Sequence, residues 1–275
     1  MFAIYVRELK SYFLTPIGYI FCGMFLVVSG MAFAQCTLLA QSTSSIGEYF
    51  IWMMVIFAVL IPLLTMKLFS DDKRNRTDQI LLTSPVSILG IVMGKYLAAL
   101  TVFGATFVVN SFNFVLLFNY GTPNLLSIFM NILGVFLLGA AFIAIGIFLS
   151  SLTESQLIAA VSAMGVNAAM LLISMLAGEV ESSFLRTVVK WFSVMDRFTP
   201  FTNQMLDVSA IVYYISLAAV AIFLTTRVWK NAVGHKKGGA LKWLIIKIPL
   251  RTKDVINTAL SLWRLLLCLS PLFLR

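Results

Sequence analysis

Charge is scarce in this chain. Only 11% of its 275 residues are Asp, Glu, Lys or Arg, against about 25% in a soluble domain. That excludes a soluble globular protein and leaves no room for a sizeable soluble domain. Histidine occurs once, at His235, so no multi-histidine metal or haem site can form within one chain. A Ser-His-Asp set would have to pass through that same residue. The three cysteines, Cys22, Cys36 and Cys268, are scattered. They show neither a metal-ligand spacing nor a disulfide framework. The stretch from Gly90 to Tyr96 superficially suggests a phosphate loop. It is one residue short between Gly90 and Gly94 and has no Ser or Thr after Lys95. The chain is therefore expected to hold no catalytic, metal or cofactor site of its own and to be no enzyme.

What is abundant is apolar: 60% of residues, with a mean hydropathy of +0.98. A membrane-crossing helix needs roughly 20 such residues. The sequence predicts an all-α integral membrane protein with six spans, at about 17–39, 49–69, two within 96–153, then 156–177 and 208–226. Residues 96–153 carry no charge and are too long for one span. The turn signal Asn119-Tyr120-Gly121-Thr122-Pro123-Asn124 divides them. With both ends placed inside, 17 of the 20 basic residues face the cytoplasm, and only Arg186, Lys190 and Arg197 face out. That asymmetry accounts for the net charge of +9 without nucleic acid as a partner. Ala32-Phe33-Ala34 resembles a leader-cleavage site, but the apolar run is too long and is preceded by an amphipathic segment. No acidic or basic residue is expected deep in the spans, which argues against a proton-coupled pump. Asn110, Asn113, Asn131 and Asn167 read as hydrogen-bonding links between helices more readily than as substrate ligands. Small residues in the fourth span (Gly134, Gly139, Ala140, Gly146) and the fifth (Ala159, Ala160, Ala163, Gly165) predict close helix packing or subunit contact.

Four segments lie outside the spans. Residues 2–13 place Phe2, Tyr5, Val6, Leu9, Tyr12 and Phe13 on one helical face and Arg7, Lys10 and Ser11 on another, the pattern of an interfacial helix. Asp71, Asp72, Lys73, Arg74, Arg76 and Asp78 crowd six charges into eight positions, followed by Leu81-Leu82-Thr83-Ser84-Pro85. Such an island belongs in water or at the membrane surface and has the form of a small docking helix. A second, smaller cytoplasmic contact is the turn 150–155, with Glu154 its one charge. On the outer side, residues 178–207 are rich in aromatics and predict short half-helices, with Trp191 as an anchor. Domain organisation is expected as 1–234 for the membrane domain. A basic, amphipathic tail follows at 235–275, either interfacial or a seventh span.

These residues resemble ABC-2 family permeases, especially the branch that includes gliding-motility-type permeases. The resemblance covers about residues 1–234. It rests on Arg7-Glu8-Leu9-Lys10-Ser11-Tyr12-Phe13 with Pro16-Ile17-Gly18-Tyr19, on Pro62 to Phe69, on Thr77 to Ser87 and on Gly94-Lys95-Tyr96. The chain departs from the family's usual pattern with Asp71 and Asp72 in place of paired glutamates and with Arg76 where a glycine is common. The resemblance implies the permease subunit of an exporter in a bacterial cytoplasmic membrane. It would pair with a second permease copy, identical or not, and with cytoplasmic ABC ATPase subunits that bind the ATP. It implies an elbow helix bearing Arg7 and Lys10. It also implies ATPase-coupling contacts at Asp71, Arg74, Thr77, Asp78, Leu81 and Leu82, with Glu154 in a minor coupling turn. A non-transporting membrane anchor for the same ATPase, and a stand-alone channel or carrier, stay open as alternatives.

Overall fold

A computed structural model describes residues 1–38, 46–75, 87–117, 124–176 and 193–237. The chain divides into two units, Met1–Lys230 and Asn231–Arg275. Every regular element among the described residues is helical.

The first helix, α1 (Phe2–Leu14), ends where Thr15 adopts an extended backbone, with φ −104° and ψ 150°. Pro16 follows as the first residue of α2 (Pro16–Phe33), the position where a missing N–H costs nothing. A π-helical turn, Ala34–Leu38, closes that span. Then come α3 (Ile46–Thr65), α4 (Lys67–Arg74), α5 (Ile88–Asn110) and the short α6 (Asn113–Leu117). The last four are α7 (Leu125–Leu152), α8 (Gln156–Leu176), α9 (Val194–Thr202) and α10 (Val208–Lys237). Side-chain caps set the starts of α5 and α7, among others. Ser87 Oγ accepts from Gly90 N at 3.2 Å to open α5, and Asn124 Oδ1 accepts from Leu126 N at 3.0 Å to open α7.

Six helices are long and apolar enough to cross a membrane. They fall into two groups. In the spans built on α3, α5 and α7, 61%, 56% and 67% of residues are buried, against 28% in those of α2, α8 and α10. The first three are therefore the interior of the bundle, and the others present broad apolar faces outward. Because lipid is as apolar as leucine, helices associate through close packing and polar links. Glycines supply the closeness on α7. A Cβ at Gly139 would lie 2.3 Å from the Phe103 ring, and one at Gly146 would lie 2.2 Å from Thr65 Oγ1.

The second predicted span, 49–69, is two helices rather than one. Pro62 sits inside α3, but the break comes at Met66, and α4 carries the chain into the polar island. Of the outer segment, residues 193–207 are described. There α9 buries Phe198 and Phe201 beside Gly134 of α7, and Ser193 caps it by accepting from Asp196 N at 3.1 Å. Trp191 and the rest of 178–192 lie outside the described residues, as does the tail beyond Lys237.

Candidate functional site

Six charged residues, Arg7, Glu8, Lys67, Asp71, Asp72 and Lys95, gather around α4. Its own N-cap, Met66, makes no side-chain cap, so the first amides of α4 need acceptors from elsewhere. Ser150, near the end of α7, provides one. Its Oγ accepts from Phe69 N at 3.2 Å and Ser70 N at 3.3 Å, and it donates to Met66 O at 2.9 Å. Ser150 is fully buried. One turn earlier, Gly146 lets Thr65 come close enough for this contact. A small-residue pair on α7 thus seats the break between α3 and α4 and caps α4 from outside.

The other faces of α4 are held by charge. Lys95, two turns into α5, is only 1% exposed. Its ammonium meets Asp72 Oδ2 at 2.6 Å and Glu8 Oε1 at 3.1 Å, donates to Leu68 O, and lies 5.0 Å from the centre of the Phe69 ring. Glu8 also receives Arg7 Nη2 at 2.6 Å. One buried cation therefore ties α1, α4 and α5 together, through hydrogen bonds to Glu8 and to Leu68 O and a close ion pair with Asp72. The Phe69 ring packs on Trp229 of α10, with centroids 4.9 Å apart. Lys73 donates to Ser151 O at the end of α7, and Gln156 at the start of α8 donates to Asp71 Oδ1. The elbow is anchored similarly. Tyr12 OH donates to Leu64 O at 2.8 Å, and a Cβ at Gly18 would lie 2.5 Å from Tyr12 O. Burial first, and the Glu8 carboxylate second, push the Tyr12 phenol well above its ordinary pKa, so it stays a donor.

Of the residues expected from sequence, Asp71 and Arg74 lie on α4, and Glu154 lies in the turn between α7 and α8. The Asp71–Gln156 hydrogen bond brings the main island and this minor turn together. Arg74 and Glu154 are exposed, as a docking surface requires. Thr77, Asp78, Leu81 and Leu82 lie outside the described residues. On the elbow, Arg7 and Lys10 are exposed as expected, but the face of α1 that packs on the bundle is Ile4, Glu8 and Tyr12. Phe2, Phe13 and Leu14 point outward.

Lys95, which sequence reading counted only as an inside-facing basic residue, lies within α5 and is buried against Glu8 and Asp72. The signal was present. Lys95 is the last charge before 58 charge-free positions, and Glu8 is an acid between Ile4 and Tyr12, four residues from each on one helical face. Asn110 does link helices: it accepts from Ser29 Oγ at 2.7 Å and Asn113 Nδ2 at 3.0 Å and donates to Tyr49 OH at 2.8 Å. Asn131 instead donates within its own helix, to Ser127 O at 2.8 Å. The buried Asn167 amide meets no partner among the described residues.

Residues 35–230 match the family model described as ABC-2 family transporter protein. No curated protein matches the chain significantly.

Proposed function

The chain belongs to the ABC-2 family of transporter proteins, and from that membership we propose that it is an exporter's permease driven by a separate cytoplasmic ATPase docked at α4. Membership itself makes it a multi-pass membrane subunit of an ABC transporter. The observation that carries the rest is the mounting of α4. Helix α4 ends in exposed polar residues, yet Ser150, Lys95, Lys73 and Gln156 fasten it to α1, α5, α7 and α8. Force applied to such a helix moves the bundle rather than bending a loop. In this reading the charged end is cytoplasmic, both termini are inside, and Asp71, Arg74 and Glu154 belong to one docking face. Thr77, Asp78, Leu81 and Leu82 extend it. ATP is bound by the partner, and a second permease copy completes the pathway.

The test is purification in mild detergent from the native membrane, with identification of what accompanies the chain. A stoichiometric nucleotide-binding subunit is expected. A Leu81→Asp, Leu82→Asp double variant should lose it while still inserting in the membrane. Undiminished association in that variant would refute docking at this segment.

A further inference from the structure

A cleft of about 410 Å³ opens between α1 and α4. Most of its charges are already matched, since Lys95 holds Asp72 and Glu8, and Glu8 holds Arg7. Two are not. Lys67 and Asp71 both line the cleft, and neither has an oppositely charged group within 4.0 Å among the described residues. Lys67 Nζ rests on two neutral hydroxyls, Thr15 Oγ1 at 3.2 Å and Ser11 Oγ at 3.4 Å. An ammonium has three donors, so one remains. Asp71 Oδ1 accepts from the neutral Gln156 amide, and its second oxygen has capacity left. The two residues stand four apart on α4, about 6 Å between side-chain bases. The cleft thus offers one cation and one anion, side by side and uncommitted.

The occupant must carry both signs at similar separation. It must also sit where the surface is apolar, because Leu14 and Phe13, which follow the cleft-lining Tyr12, are 84% and 46% exposed. A purely anionic ligand would face Asp71, and a purely cationic one would face Lys67. We infer that the cleft binds a zwitterionic aminophospholipid of the surrounding leaflet, with its phosphate on Lys67, its primary ammonium on Asp71 and its acyl chains along the apolar edge of α1. A primary ammonium donates hydrogen bonds to the carboxylate, whereas a trimethylated choline cannot. Lipid in this cleft would brace the elbow against α4. With lipid bound, Asp71 answers to the ammonium within the cleft, and exposed Arg74 and Glu154 are left to the proposed ATPase.

Native mass spectrometry of the full chain, delipidated and then titrated with phosphatidylethanolamine, phosphatidylcholine or phosphatidylglycerol, tests it. The expected result is one retained phosphatidylethanolamine, bound about tenfold more tightly than either other lipid. Lys67→Gln, which keeps a donor for Ser11 and Thr15, and Asp71→Asn should each erase that preference. Soluble phosphoethanolamine at equal concentration should displace nothing. Equal binding of all three lipids by the wild-type chain would overturn the assignment, and that comparison needs no variant to fold. So would a preference for phosphatidylglycerol, an unchanged ranking in both variants, or displacement by the soluble headgroup.

Discussion

Lys95 joins three helices through one side chain. A buried ammonium with two carboxylates and a carbonyl around it is held by its partners, and removing it strands them. Lys95→Met should lower stability by roughly 3–5 kcal/mol, because Glu8 and Asp72 are then left without their cation. Adding Glu8→Gln and Asp72→Asn to that variant should recover much of the loss, since the stranded charges go too. Thermal unfolding in detergent, single against triple variant, checks this. Glycine gives a second contrast at the same scale. A methyl at Gly18 meets the rigid Tyr12 carbonyl, whereas one at Gly23 meets nothing within 4 Å. Gly18→Ala should therefore cost about 1–3 kcal/mol, and Gly23→Ala should stay within about 0.5 kcal/mol of the parent by the same unfolding measurement. Sequence reading saw Gly18 only as part of a motif and Lys95 only as a basic residue. Neither the approach of a carbonyl nor the company of a buried ammonium is written in local pattern. Both arise when residues 12 and 18, or 8, 72 and 95, are brought together by packing.

Helices α3 and α4 show why element boundaries were partly legible. Apolar length located the second span, and the charge island located its exit, so both helices were foreseen in outline. Proline removes a backbone donor, so local pattern points to Pro62 as the place for a kink within one span. The chain instead runs helical through Pro62 and breaks at Met66, where Ser150 of α7 supplies the cap that Met66 lacks. A cap contributed by a distant helix has no signature in the local sequence. Ser150→Ala should remove it. The expected cost is about 1–2 kcal/mol, with faster amide exchange at Phe69 and Ser70 measured by hydrogen–deuterium exchange. Exchange unchanged at those two amides would show that α4 is held by its charges alone. The elbow reads from sequence as amphipathic, and the structure adds which residues pack on the bundle. Exposed Phe2 and Phe13 suit lipid, and the packing face needs the smaller Ile4 with the polar reach of Glu8 and Tyr12.

At the scale of the whole molecule, six apolar helices were legible from the lengths of the charge-poor runs and the turn signal that divides the longest, because a bilayer enforces such lengths. The structure adds that six of the described charges meet in one place. Arg7, Glu8, Lys67, Asp71, Asp72 and Lys95 line a single cleft, and Gln156, two residues after Glu154, reaches Asp71. At the other end, Asn124 Nδ2 donates to Gln204 Oε1 at 3.0 Å, with no charged partner in that contact. The central claim is that an ATPase docks on the charged end, at α4 and the turn after α7. Site-specific photo-crosslinking in native membranes tests it most directly, with a photoreactive residue replacing Arg74, Glu154 or, at the opposite end, Asn124. The account predicts a covalent adduct with a nucleotide-binding subunit from positions 74 and 154 and none from 124. A correctly inserted chain that captures no such subunit from 74 or 154, or captures it from 124, would contradict it.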